Sequence, residues 1–421
     1  MRAVAADDLD LATLLRPGDR IVVGQATAEP LTLTRRLVGT GGLPQGCSVF
    51  LGVLNSDTFD GADGLALEGY GAVGQGARLA RAGRLDVLPW HYSQLAPAFA
   101  DGTLRADCVL IQLAPALEGN GFNLGLANDY VLDAARKARL VIAEINTDVP
   151  RCHGAQWPSD IPIHICVAAE HPPLQQQGVV PGETELAIAD NVASLIPDRA
   201  ALQLGVGAIP QAVTGKLAGH RDLGLHSGAL FDAVVDLIEW GAVTNMAKEY
   251  DTGVSVGGIL LGSRRLYDFA NDNGAFCLHP PARTHALGVL GGLSRFCAIN
   301  SAIEVDLTGQ VNAETAGGRY LGAVGGQVDF VRGANASRGG RAIIALPSTA
   351  RGGTVSRIVT RVETVTCPRS DADAIVTEWG VAELRGCTLS QRVERMIAIA
   401  APQFRESLSR EWHDVGRAAC G

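Results

Sequence analysis

Two stretches of the chain share one plan: a short apolar run, a loop of small residues, a proline, then a helical pattern. The first reads Arg20-Ile21-Val22-Val23, then Gly24 to Glu29, then Pro30 and a helix pattern from Leu31 to Val38. The second reads Ala201 to Leu204, then Gly205 to Ile209, then Pro210 and a helix pattern from Gln211 to about Ala218. A short apolar run bounded by turn residues suits a buried strand. The two copies stand about 180 residues apart. A repeat of that period is too long for a solenoid and fits two α/β domains of related topology.

The rest of the chain keeps the alternation. Strands are expected at Ser48–Val53, Arg84–Val87, Asp107–Leu113 and Arg139–Ile145, with a helix over Asp129–Lys137. The segment His171 to Gly182 is polar and proline-rich and reads as a linker. A helix from Glu183 to about Ile196 opens the second half. There, strands are expected at Leu223–His226, Gly257–Leu261, near Phe276, at Ala298–Ile299, Ser301–Leu307, Arg341–Leu346 and Ala374–Val376. Helices are expected at Phe231–Trp240, around Leu266–Ala270 and from Ser390 to about Ala400. Strands alternating with helices predict α/β architecture with mostly parallel sheets in two related domains, residues 1–178 and 179–421. Ligands in such sheets bind beyond the carboxyl ends of the strands.

Composition removes several classes of function. The net charge is −9 and no basic patch stands out, which argues against nucleic acid. The first residues, MRAVAADDLDLATLL, carry three aspartates and no signal-type apolar core, and no apolar run is long enough to span a bilayer. A soluble cytoplasmic protein with no membrane partner is expected. The nine cysteines are dispersed without a CxxC pair, which suggests reduced thiols. Cys152-His153 and His164-Ile165-Cys166 match no zinc spacing, so no metal is expected.

The second copy of the repeat carries the strongest chemical signal. A strand that stops at Gly205-Val206-Gly207 before a helix exposes backbone N–H groups. Such groups suit a phosphate, a carboxylate or a developing oxyanion. A short strand then ends at His226-Ser227-Gly228.

Long segments of the chain resemble the acetyl-CoA hydrolase/transferase family, which includes 4-hydroxybutyrate CoA-transferase. They are Leu202 to Pro210, Gly262 to Phe269, Ile299 to Val311, Gly325 to Ala334, Ile344 to Ala350 and Val376 to Leu384. In the first half, Gly24 to Pro30, Val109 to Gln112, Val141 to Asn146 and Pro150-Arg151 fit more loosely. The resemblance implies a CoA-transferase-like fold, coenzyme A as substrate or bound acyl-CoA, a small carboxylate or other acceptor, and a homodimer. It further implies a glutamate that attacks the thioester and passes through a glutamyl-CoA intermediate, a form of covalent catalysis. Gly205, Val206, Gly207, Ala208 and Ile209, with Gly322, Gly325 and Gly326, would then contact CoA and stabilise oxyanions.

One position departs from the pattern. Where the family has its glutamate, the chain has Gly228, and neither Ser227 nor Ala229 is a carboxylate. Transfer or hydrolysis without the glutamyl intermediate follows, or bare acyl-CoA binding. Glu29 is a candidate substitute carboxylate, with helix capping as its alternative; Glu249 is another, beside Lys248. His226 is a candidate base and Ser227 a candidate nucleophile, although strand neighbours point to opposite faces. Arg351 could meet a phosphate or carboxylate. Trp90-His91-Tyr92-Ser93-Gln94 could border the acyl pocket. Restoring the acid with Gly228→Glu is expected to permit a glutamyl-CoA adduct.

Overall fold

The computed structural model describes residues 1–419, and side chains through Asp414, so Cys420 lies outside the described residues. Two large sheets dominate. In the first, the strands lie in the spatial order Arg2–Val4, Ile165–Ala168, Leu140–Ile145, Cys108–Pro115, Arg20–Val23, Ser48–Leu51, Ala66–Gly69 and Leu85–Val87. All neighbours on this path are parallel; Phe122–Asn123 adds one antiparallel pairing to the Cys108–Pro115 strand. In the second, the order is Gly224–Leu225, Ala201–Leu204, Phe296–Ser301, Arg341–Ala345, Ala374–Thr377 and Gly380–Glu383. Only the last pair is antiparallel. The fold is α/β with mostly parallel sheets.

The shared plan occupies corresponding places. Each copy's strand pairs on one side with the next sheet strand in sequence, and on the other with the strand that begins a run toward the far edge. The first glycine after each strand makes the same bond: Gly24 N–H donates to Leu110 O, and Gly205 N–H donates to Ile299 O, both at 2.9 Å. These central strands are almost wholly buried, which is why their sequences are near-continuous apolar runs.

The segment 171–182 carries no helix or strand, yet it is tied down. Gln176 N–H donates to Gly262 O, Tyr267 Oη–H donates to Leu174 O, and Val179 N–H donates to Gln211 Oε1. One hydrophobic cluster runs through both halves, from Val22 and Phe50 to Leu204, Leu260 and Val376. Polar contacts join them as well: the Ala127 backbone bridges Ile259, and the Thr27 hydroxyl donates to Leu260 O at 2.5 Å. Among the described residues, no helix is long and apolar enough to cross a membrane.

Candidate active site

Gly205, Gly325 and Gly326, from two loops more than a hundred residues apart in sequence, meet on one cavity of about 200 Å³. The second half contributes Gln203 and Leu204 at a strand end, Val206 and Gly228, and also His285, Asn300 and Phe330. The first half contributes Val53, Tyr70, Val73 and Tyr92. Its walls are therefore aromatic and apolar, with a few amides and hydroxyls. Among the described residues no aspartate or glutamate lines it.

The polar groups are held in place. Gln203 and Asn300 form a reciprocal amide pair, Asn300 Nδ2 donating to Gln203 Oε1 at 2.9 Å and Gln203 Nε2 donating to Asn300 Oδ1 at 3.2 Å. Tyr70 Oη–H donates to Gln25 Oε1, and Gln25 Nε2 donates to Tyr92 Oη and Asp129 Oδ2. Burial raises the Asp129 carboxyl to about 6 and pushes both tyrosines up, so the phenols remain protonated donors. Gln327 Nε2 donates to Ser301 O, while its buried Oε1 finds no partner among the described residues.

The two halves are latched across the cavity by main-chain bonds. Ala72 N–H donates to Gly322 O at 2.7 Å, and Tyr92 N–H donates to Gly325 O at 2.8 Å. Ser93 adds side-chain support: its hydroxyl donates to Asp329 Oδ1 at 2.7 Å and its amide to Oδ2 at 3.2 Å. The Trp90–Gln94 segment thus borders the cavity, with Tyr92 facing it.

The glycine turn divides its work. Gly205 lines the cavity, but its N–H is spent on Ile299 O and is not a free donor. The N–H groups of Val206, Gly207 and Gly228 find no protein acceptor among the described residues. Gly207 has φ +129°, a conformation that requires glycine, and lines a neighbouring pocket with Gln176 and Phe231. Ala208 starts the helix Ala208–Lys216, and Ile209 is buried in the core. Gly322 lies outside the lining; a Cβ there would meet Ala313 O at 2.0 Å, so its small size serves loop packing.

Several sequence candidates sit elsewhere. The Glu29 carboxylate is fully buried, accepts Thr34 Oγ1–H at 2.9 Å and Ser56 Oγ–H at 2.7 Å, and does not line the cavity. Nor does it cap the helix Leu31–Gly39 through backbone amides: Glu144 does that, accepting Thr32 N–H and Leu33 N–H. Ser227 Oγ is buried between Leu204 N–H, which donates to it, and Leu204 O, to which it donates. His226 points the other way: Nε2 donates to Arg283 O, and burial together with the nearby Lys248 ammonium lowers its pKa to about 4. Glu249 is exposed and accepts Ser294 N–H. Arg351 is exposed in the turn between Thr349–Ala350 and Val355–Ser356, away from the cavity. His164 and Cys166 are structural: His164 Nδ1 accepts Val141 N–H, and Cys166 Sγ lies against Arg2 O. Among the described residues no cluster of three or more His, Cys, Asp or Glu is placed to hold a metal ion.

The sequence reading missed Tyr70, Gln203, His285, Asn300 and Phe330. Gln203 left a trace, as a polar residue inside a four-residue strand that is otherwise apolar. His285 left none, since it follows a short helix, Pro281–Thr284, far along the chain from the glycine turns.

Comparison with known proteins agrees with this architecture. The N-terminal domain of acetyl-CoA hydrolase/transferase matches residues 6–170, and its C-terminal domain matches residues 262–412. Gly228 falls between the two matches. A 4-hydroxybutyrate coenzyme A transferase of Clostridium kluyveri is 42% identical over 339 residues, covering 78% of each chain. The crystal structure of RipA from Yersinia pestis superimposes with a TM-score of 0.91 at 31% identity, covering 99% of this chain and 98% of that one. That of a 4-hydroxybutyrate CoA-transferase from Porphyromonas gingivalis gives 0.81 at 32% identity, covering 98% and 97%. A two-sheet fold, a cavity walled by paired glycine loops and matches over both halves lead to one assignment: the chain belongs to the acetyl-CoA hydrolase/transferase family, and is an enzyme of one of those two kinds.

Proposed function

We propose that the chain processes acyl-CoA thioesters in this cavity without a glutamyl-CoA intermediate, passing CoA from an acyl-CoA to a small carboxylate. The observation that carries the reading is a cavity built by both glycine loops whose lining, among the described residues, includes Gly228 and no carboxylate. In this scheme the acceptor carboxylate itself attacks the thioester carbon. The C–S bond breaks, CoA leaves as thiolate, and a mixed anhydride forms. The thiolate then attacks the acceptor's carbonyl carbon, and the first acid leaves as carboxylate. Each step passes through an oxyanion, for which the Val206 and Gly228 amides are available donors. The aromatic and apolar walls suit a small acyl group, and the role of the chain's other residues is to position it and keep water out. Glu29, His226 and Ser227 have no direct part in this scheme; Ile209 and Gly322 serve packing, and Gly207, Ala208 and Arg351 would meet CoA only beyond the cavity. A homodimer in the cytoplasm, without metal, completes the proposal.

Hydrolysis is the second reading, favoured by the same absence of a carboxylate, because water needs no covalent partner on the enzyme. The purified protein is incubated with acetyl-, butyryl- and 4-hydroxybutyryl-CoA, with and without carboxylates, while free thiol and new thioesters are followed. Acceptor-dependent new thioester supports transfer, and thiol release alone supports hydrolysis. Neither, with CoA still bound, would leave a binding protein and overturn both readings.

A further inference from the structure

The space that a side chain at position 228 would need is taken by His285. A Cβ on Gly228 would lie 2.9 Å from His285 Cε1 and 3.0 Å from Nε2, and one on Gly326 would lie 2.6 Å from Nε2. The ring is seated against two glycines of the cavity wall. Tyr92 lies 4.7 Å from its centroid and Phe330 4.5 Å, so the ring plane is fixed by aromatic contact. The opposite nitrogen is tethered: Nδ1 lies 2.8 Å from Thr284 Oγ1. The hydroxyl's other neighbour, Pro280 O, is at 3.4 Å. The 2.8 Å contact is made by either tautomer; in the one where the Thr284 hydroxyl donates to Nδ1 rather than to Pro280 O, the ring proton sits on Nε2. Nε2 has no protein partner among the described residues and stands at the cavity wall, between Gly228 and Gly326.

We propose that His285 is a catalytic residue of this chain, its Nε2–H donating a hydrogen bond to the thioester carbonyl oxygen of the bound acyl-CoA. The proposal rests on the acyl-CoA reading above and adds the group that works where the family's acid is missing. As the acceptor attacks, the carbonyl π pair moves onto oxygen and the Nε2–H bond strengthens. As the C–S bond breaks, the carbonyl re-forms and the imidazole keeps its proton. Burial and the neighbouring His226 lower the His285 pKa to about 3, so the ring is neutral across the working range. A neutral imidazole is a weak base and a suitable donor to a developing oxyanion.

The test compares His285→Phe with His285→Gln. The first keeps an aromatic ring between Tyr92 and Phe330 and removes the donor; the second keeps an N–H. Acyl-CoA turnover is measured for each, with CoA affinity by calorimetry and folding by circular dichroism. Removing one oxyanion donor costs on the order of 100- to 1000-fold in kcat. His285→Phe is expected to lose that much with KM within about threefold, and His285→Gln to recover at least about tenfold of it. A His285→Phe enzyme within about threefold of wild-type kcat overturns the proposal. A His285→Gln enzyme as slow as His285→Phe overturns the donor role in favour of a base. If His285→Phe does not fold, Thr284→Val takes its place. That variant lets the ring proton move to Nδ1, and an unchanged kcat overturns the proposal. A wild-type protein that binds CoA and turns over none of the acyl-CoAs instead sinks the acyl-CoA reading itself.

Discussion

The close approach of His285 to Gly228 changes what restoring an acid should do. On sequence alone, Gly228→Glu needs only to fill an empty position. In the structure its Cβ would meet His285 at 2.9 Å, and the ring cannot withdraw freely between Tyr92 and Phe330. The single variant should therefore lose about 1–3 kcal/mol of stability, as overpacked sites do, and form no adduct. The double variant Gly228→Glu with His285→Ala should have room, and gain the mass of CoA on exposure to acyl-CoA. Intact mass spectrometry reads both; a folded, CoA-binding double variant with no mass gain would show that position 228 is not the family's glutamate position. At Gly207 the constraint is backbone conformation instead, with φ +129° and open space around a Cβ. Gly207→Ala should cost roughly 1–2 kcal/mol through strain alone, seen as a lower denaturation midpoint.

At the scale of elements, Glu144 illustrates how a buried acid can serve a helix. It is the penultimate residue of a central strand, Leu140–Ile145, and its Oε2 receives the Thr32 and Leu33 amides in the first turn of the helix Leu31–Gly39, while Oε1 has no partner among the described residues. Burial outweighs those bonds and raises its pKa to about 7. The folded state thus holds this proton more tightly than the unfolded chain, so the stabilisation is complete below about pH 4.5 and is lost as pH rises through 7. Compared with wild type, Glu144→Gln should show a flatter stability profile over that window, by about 1–3 kcal/mol. Urea titrations at intervals from pH 5 to 8 would reveal it; parallel profiles would contradict it.

The same scale shows what the sequence reveals. Central strands such as Ala201–Leu204 are legible because both faces are buried and the residues are correspondingly apolar. The strand expected at Leu223–His226 is shorter, Gly224–Leu225, because the chain then changes partners: His226 bridges Val256, and Ala229–Leu230 pairs with Ile259–Leu260. A long helix, Pro402–Ala419, went unread after the one expected to end near Ala400, since its polar sequence begins with a proline, a residue that also starts helices. The glycine loops of the site are legible as turns, and it is the family resemblance that implies their place in the site. Tyr70 is not legible, because only the packing of one half on the other brings it to the cavity; His285 reaches Gly228 and Gly326 only through the tertiary folding of the second half, and Phe330 reads simply as an apolar residue of its helix.

For the whole molecule, that packing is an apolar cluster shared by both halves, with Val22 and Phe50 beside Leu204 and Val376, flanked by one further cluster within each half. Unfolding should therefore be a single calorimetric transition rather than two, and residues 1–178 made alone should not fold stably; two well-separated peaks would refute this. The seam itself has an evolutionary corollary. Its two joints across the cavity, Ala72 to Gly322 and Tyr92 to Gly325, run from peptide group to peptide group. Substitution can rewrite the side chains along this border, and with them the choice of acyl group, while the hinge-pins stay in place. Only an imino acid at position 72 or 92, which has no amide hydrogen to offer, would unfasten one directly.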